Sequence, residues 1–254
     1  MCRVTEDQIV HRLRAAGCVF AEEEAALLIG AAGDPVHLER MVRDRETGRP
    51  LEQILGWAEF AGIRVRVAPG VFVPRRRSEL VVWLALEAAG PGAVAVDLCC
   101  GSGALGAALL AARPDLEVHA ADIDPAAVAC ARRNLPPDRV HEGDLYAALP
   151  DRLRGRVDVL VVNAPYVPTD EISMMPPEAR DHEHRIALHG GPDGLDVQRA
   201  VCAGVGGWLA EGGTAVIETG RTQAATTAAL MTAAGLTPRI ITDDDIGALA
   251  VSAT

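Results

Sequence analysis

Asn163, Ala164, Pro165 and Tyr166 follow an apolar, β-branched run (DVLVV, 158–162) and bring several chemically useful groups together. Asn163 carries a side-chain carbonyl acceptor and an NH₂ donor. Pro165 biases Ala164 toward an extended backbone, which can turn the Ala164 carbonyl inward. Tyr166 adds a flat face. Two acceptors beside a stacking surface suit a planar group that bears an NH₂; a simple strand-ending turn uses the same residue types. A second constellation lies upstream in Val94–Gly106, VAVDLCCGSGALG. A β-branched run ends near Asp97, passes through Cys99, Cys100, Gly101, Ser102 and Gly103, and enters an alanine-rich helical pattern. A strand, glycine turn and helix in succession let backbone approach a ligand closely and aim free helix N–H groups at it, as nucleotide sites do. Gly101, Gly103 and Gly106 also spell G-x-G-x-x-G, a pattern that any tight α/β turn can satisfy. Asp122 closes the next apolar run (EVHAADID) about twenty residues after the glycines, where an acid can hold ribose hydroxyls.

These residues need a scaffold, and the flanking patterns supply one. Thr5 and Gln8 can form a capping box for a first helix with Ile9, Val10 and Leu13 on its apolar face. A second helix is predicted over Ala21–Ile29, with Glu22, Glu23 and Glu24 on a solvated face. A third starts at Asp34-Pro35, with Val36, Met41 and Val42 inward. Residues 1–49 thus read as a helical N-terminal lobe. Residues 50–77 read as a hairpin, Trp57–Phe60 against Ile63–Val67, and a linker. Arg75, Arg76 and Arg77 in that linker are either solvated or face a pocket mouth and meet an acidic partner. Ser78 is predicted to cap the next helix. From Ala93 onward strands and helices alternate. Strands are predicted at 93–98, 117–122, 139–142, 158–163, 214–219, 239–242 and 248–252, and helices at 104–112, 125–134, 195–209 and 223–234. Repeated β-α units of this length imply an α/β fold: a doubly wound, mainly parallel seven-stranded sheet over residues 78–254. The short link 243–247 makes the last strand antiparallel. Ligands in such sheets bind at the carboxyl ends of the strands, so Asn163–Tyr166 and the glycine turn should border one pocket.

Composition narrows the function. The chain has 254 residues, a net charge of −11 and no lysine. An acidic balance argues against broad binding of nucleic acid or anionic membrane. The six cysteines show neither a CxxC pair nor a disulfide framework, which fits reduced thiols in a cytoplasmic protein. No signal peptide or bilayer-spanning run is visible. The run Asp181–His184 (DHEH), with His189 nearby, matches no zinc spacing and reads as a solvated or substrate-shaping loop, with no metal expected. Met174 and Met175 read as a lid beside the pocket.

VDLCCGSGALG, AADID, EGDLY and VVNAPYVP together resemble the motifs of class I S-adenosylmethionine-dependent methyltransferases. NAPY is similar to the [N/D]PP[Y/F] signature of enzymes that methylate planar amide or amino nitrogens. Three further stretches are similar to segments of the HemK/PrmC family of protein N5-glutamine methyltransferases: 51–81 to its hairpin and I-P-R-P-E-T-E, 183–201 to its E-P-x-x-A-L-x-G-G-x-D-G-L, and 215–220 (AVIETG) to its L-x-x-E-x-G. The resemblance implies S-adenosyl-L-methionine as cofactor, S-adenosyl-L-homocysteine as product, and the Rossmann-like methyltransferase fold. It places Cys99, Cys100, Gly101, Ser102 and Gly103 against the methionine part, with Asp97 under the loop. It places Asp122 and Ile123 at the ribose, and Asp144 and Leu145 at the adenine. Asn163 and the Ala164 carbonyl would accept hydrogen bonds from a substrate amide, Pro165 and Tyr166 would complete that edge, and Arg75 would join the substrate side. The implied partner is a peptide-chain release factor, through the glutamine of its GGQ motif, or another glutamine-bearing protein. Neither nucleic acid nor membrane is expected as a partner, and a monomer is.

Several residues depart from the family pattern. Cys99-Cys100 stand where Gly-Thr is usual, so a Cβ is expected to crowd the loop. Ala164 replaces the first proline of NPPY. VPRRRSE keeps Arg75 and Glu79 but exchanges an acid for Arg77, and DDDIGALAV lacks the usual G-R-D-R. Other readings stay open on the residues alone: the same fold acting on another protein, a small molecule or adenine; a nicotinamide-dependent oxidoreductase, which the glycines and Asp122 also fit; and a binding protein that has lost activity.

Overall fold

The computed structural model describes residues 5–254; Cys2 lies outside them. Helix α1 (Glu6–Ala15) starts at the expected capping box, with Thr5 and Gln8 satisfying each other's backbone N–H groups. Helix α2 (Ala21–Ala31) and α3 (Pro35–Glu46) pack on it, and Asp34 accepts from the N–H groups of Val36 and His37. Ile9, Leu13, Ala21, Ala25, Leu28, Met41 and Val42 form the shared core. Val36 does not join it: at the first turn it is 66% exposed. Glu24 is not on a solvated face either. It is buried against Arg45, which donates from Nε at 2.6 Å and from Nη2 at 3.2 Å. A five-residue helix, α4 (Leu51–Leu55), packs on the same cluster. No periodicity can show in so few residues.

Strands β1 (Trp57–Phe60) and β2 (Ile63–Arg66) form the expected hairpin. Its turn, Ala61-Gly62, has positive φ at both residues, the twist a two-residue hairpin needs. Phe60 and Val65 enter the main core. After α5 (Glu79–Ala88) comes the sheet: β3 (Val94–Leu98), α6 (Ala104–Ala112), β4 (Glu117–Asp122), α7 (Pro125–Ala131), β5 (Val140–Glu142), β6 (Val157–Val162), α8 (Pro177–His182), α9 (Asp196–Val205), β7 (Leu209–Glu218), α10 (Ala224–Ala233), β8 (Pro238–Asp243) and β9 (Ala248–Ala253).

The seven strands lie in the order β5-β4-β3-β6-β7-β9-β8. All are parallel except β9, which pairs antiparallel with both β7 and β8. β3 is buried along its whole length because helices cover both faces of the sheet. Ala95, Val159, Val161 and Val216 point to the layer of α5, α6 and α7. Val96, Leu98, Leu160 and Ile217 point to α9 and α10. β7 begins five residues earlier than its sequence pattern suggests, and its register against β6 shifts between Val157 and Val159, where residues 210–213 stand against residue 158. Helix α7 stops at Ala131 instead of Asn134. The Asn134 side chain is used elsewhere: it pairs with the Arg66 backbone and donates to the Ser102 carbonyl at 2.8 Å, so it joins the hairpin to the glycine turn. No helix among the described residues is long and apolar enough to cross a membrane.

Candidate active site

The strand order reverses at β3, whose neighbours β4 and β6 are reached by connections in opposite directions along the sheet. A crevice opens there, outside the carboxyl ends of the strands. It is a cavity of about 400 Å³. Each bordering strand delivers one expected group: Cys99, Cys100, Gly101 and Ser102 after β3, Asp122 and Ile123 at the end of β4, Asp144 and Leu145 after β5, and Asn163–Tyr166 after β6. Three expected residues do not line it. Asp97 lies beneath the glycine turn, Gly103 begins α6, and Arg75 is turned away.

The glycine turn is held from two sides. Asp122 accepts the Gly101 N–H through Oδ2 at 2.8 Å and the Asp124 N–H through Oδ1 at 2.9 Å. Burial outweighs those bonds and raises its carboxyl above the ordinary range. Beneath the turn, Asp97 is fully buried and accepts the Gly106 N–H at 2.9 Å. A Cβ at Gly106 would sit 3.3 Å from that same oxygen and 3.2 Å from Val118, so the third glycine permits close helix–strand packing. The other oxygen, Oδ1, has no partner among the described residues. Burial pushes the Asp97 carboxyl up to about 8, opposed by the Gly106 N–H and helped by the Asp122 charge. Cys99 adopts φ +60°. The backbone cost of a non-glycine residue there is about 1–2 kcal/mol. Cys100 is buried and Cys99 partly buried, and burial followed by the nearby Asp97 and Asp122 charges holds both thiols well above the ordinary cysteine value.

At the opposite edge, Asn163 Nδ2 donates to Ser78 Oγ at 3.1 Å. Ser78 makes no capping bond to α5 and starts in helical backbone. Its hydroxyl serves Asn163 instead of the helix end, contrary to the sequence expectation. With the amide nitrogen committed, Asn163 Oδ1 remains as an acceptor. Ala164 is buried at 2% exposure. The Tyr166 hydroxyl donates to Glu218 Oε1 at 3.2 Å, and burial, then the Glu218 charge, push it up to about 12. Gln223 Nε2 donates to the Tyr166 carbonyl at 2.9 Å and to the Asp193 carbonyl at 3.0 Å. A Cβ on Gly194, which has φ +77°, would overlap both the Tyr166 carbonyl and the Gln223 amide.

Of the three arginines, Arg77 faces the cavity and donates through Nε to Glu218 Oε1 at 3.1 Å. Arg75 instead donates to Glu183 Oε1 at 2.6 Å, and Glu183 also accepts the Val73 N–H. The expected acidic partners are thus internal. Met175 lines the cavity while Met174 is 74% exposed. His189 lines it as well, within hydrogen-bond distance of Thr169 Oγ1 at 2.9 Å; His184 Nδ1 meets Asp124 Oδ2 at 2.6 Å. No three His, Cys, Asp or Glu side chains among the described residues converge as a metal site. Ser78, Glu218 and Gln223 are residues that sequence reasoning did not place here, and Arg77 was one of three arginines left open between solvent and a pocket mouth. The VPRRRSE and AVIETG segments pointed to Ser78 and Glu218 only as wholes and did not include Gln223, since no single residue type marks a hydrogen bond to a strand far along the chain.

Comparison with known proteins agrees with this geometry. The profile of the methyltransferase small domain matches residues 62–175. A release factor glutamine methyltransferase of Streptomyces coelicolor is 40% identical over 219 residues, covering 80% of this chain and 78% of its own. One from Cereibacter sphaeroides is 35% identical over 251 residues, covering 89% and 88%. In fold the chain resembles the ribosomal protein L11 methylase of Lactobacillus delbrueckii subsp. bulgaricus, at a TM-score of 0.53 and 14% identity over 75% of this chain and 84% of that one. At 40% identity across most of both sequences, the chain belongs to the release factor glutamine methyltransferase family.

Proposed function

We propose that this protein transfers a methyl group from S-adenosylmethionine to the N5 nitrogen of a protein glutamine, with the GGQ glutamine of a peptide-chain release factor as its substrate. One observation carries the reading. The Asn163 carbonyl, freed by the Ser78 contact, shares a single cavity with the glycine turn and Asp122.

The residues present fit the cofactor. Each Asp122 oxygen accepts one backbone N–H and keeps a second lone pair, which suits the two hydroxyls of a ribose. Ile123 and Leu145 offer apolar surface beside Asp144 for a flat base. The small residues of the turn leave room for an amino-acid tail. When bound, S-adenosylmethionine supplies an electrophilic methyl group on a sulfonium.

The protein's task is the nucleophile. An amide nitrogen is weakly nucleophilic because its lone pair is delocalised into the carbonyl. Asn163 Oδ1 and the Ala164 carbonyl accept its two hydrogens, which raises electron density on nitrogen and favours pyramidalisation. Tyr166, pinned at both its hydroxyl and its carbonyl, holds the amide plane. The contribution is positioning and electrostatic stabilisation, with the proton lost after transfer, when the nitrogen is strongly acidic. A ligand that binds only the folded state raises its melting temperature. S-adenosylhomocysteine is expected to stabilise the protein in a thermal-shift assay and NAD to leave it unchanged; stabilisation by NAD alone would overturn the reading.

A further inference from the structure

The Asn163–Tyr166 edge of the cavity carries a cation that the methyl-transfer chemistry does not use. We infer that Arg77 is the anchor for a carboxylate that enters the cavity beside Asn163–Tyr166. The inference rests on the methyl-transfer reading and adds a binding residue to it.

The geometry is specific. Arg77 lines the cavity with Ser78, Asn163 and Tyr166, and its guanidinium carbon stands 5.9 Å over the Tyr166 ring. Its Nε donates to Glu218, and the guanidinium also interacts with the Tyr166 hydroxyl. The Glu218 side chain is 3% exposed and the Arg77 side chain 43%, so the carboxylate holds the guanidinium from the buried side. Held at Nε, the guanidinium lines the cavity with nearly half of its side chain exposed. Its fork matches a carboxylate bidentately, which an ammonium cannot do. The other charged side chains of a largely apolar lining are carboxylates, Asp122, Asp124, Asp144 and Asp196, and Arg77 is the only arginine among the described lining residues. A carboxylate entering this cavity therefore has one favourable place to go. The resemblance noted above has an acid at this position of VPRRRSE, so the anchor belongs to this chain.

Two sources can supply the carboxylate: the amino-acid end of the methyl donor, or an acidic side chain next to the target glutamine. Calorimetry on the wild type, Arg77→Gln and Arg77→Lys with S-adenosylhomocysteine and with 5′-methylthioadenosine, which lacks the amino-acid end, tests the first. Competition between two glutamine peptides that differ only in Asp or Asn beside the glutamine tests the second. Loss of about tenfold or more in the affinity ratio of the two nucleosides, with methylthioadenosine affinity kept, assigns the carboxylate to the donor. A similar loss in the Asp-over-Asn rate ratio, with both nucleoside affinities kept, assigns it to the substrate. Arg77→Lys keeps the charge but not the fork, and is expected to recover only part of either ratio. If both ratios are the same in all three proteins, the inference is wrong while methyl transfer stands. A wild-type protein that binds neither nucleoside contradicts both.

Discussion

In the proposed mechanism Asn163 works through the half of its amide that is already occupied. Ser78 accepts from the NH₂ of a residue that lines the cavity, which leaves the carbonyl as the acceptor. Asn163→Ala is expected to lower turnover by about 10²–10³-fold, the loss seen when one preorganised partner is removed from a polar transition state. Affinity for S-adenosylhomocysteine should stay within a few-fold, so calorimetry beside initial rates separates the two roles. A joint collapse of binding and rate would instead assign Asn163 to the cofactor. Asp97 makes a second test. Its folded carboxyl sits at about 8, far above the unfolded value of about 4. Between those values the folded protein holds a proton that the unfolded chain has released. The stability it contributes is therefore complete below about pH 4 and is lost as pH rises through about 8, at up to about 1.4 kcal/mol per pH unit. Asp97→Asn keeps an acceptor for the Gly106 N–H and removes the titration. Its unfolding free energy in urea, minus that of the wild type, should rise between about pH 5 and about pH 8; a flat difference would contradict the assignment. At this scale residue types were legible and directions were not. Nothing local distinguishes Arg75, bound to Glu183, from Arg77, bound to Glu218 at the cavity. Ser78 had the position of a cap and the contacts of a positioning residue.

Elements with one buried environment were the most legible. The apolar runs of β3 and β6 marked central parallel strands because helices cover both faces. The Ala61-Gly62 turn and the short 243–247 link each marked a hairpin, and both hairpins are present. What local sequence did not show were ends and short pieces governed by distant partners: α7 cut short where Asn134 joins the hairpin to the glycine turn, β7 extended through Gly212-Gly213, and the single-turn α4. The connection from β6 to α9 gives the element-scale prediction. Gly194 lies where the 188–196 turn crosses the Tyr166 carbonyl, and Gln223 from the start of α10 ties both together. Gly194→Ala adds a Cβ at positive φ into that contact and should cost about 2–4 kcal/mol, or displace Tyr166. Chemical denaturation detects the first and loss of turnover at normal stability the second; a variant with unchanged stability and turnover would refute the tie.

At the scale of the molecule, the helical lobe holds one wall of the cavity. Arg45 bonds Glu24 within the lobe and reaches Glu178 of α8 at 2.6 Å. Gln53 donates to the Val71 and His182 carbonyls, and His184 N–H donates to Gly70. The segment running from α8 to the cavity residues Ile186–His189 is thus fastened to the lobe and to the linker before the glycine turn. Glu178→Gln leaves the Arg45–Glu24 pair intact and breaks only the half-exposed link, so its stability cost should stay under about 1 kcal/mol. Amide exchange across 177–189 should nonetheless quicken, because local opening needs only the contacts that hold that segment. Unchanged exchange there would show that the lobe does not restrain the wall. Arg45→Ala strands a buried Glu24 and should cost about 3–5 kcal/mol. The mainly parallel sheet was legible from alternation alone, whereas this strapping depends on pairs of residues more than a hundred positions apart. The central claim is methyl transfer to a glutamine amide, and tandem mass spectrometry of a peptide-chain release factor incubated with the protein and S-adenosylmethionine tests it most directly. One added methyl group is expected, on the side-chain nitrogen of the GGQ glutamine, absent when Asn163→Ala replaces the wild type. A methyl group on any other atom, or none on the glutamine while S-adenosylhomocysteine binds, would contradict it.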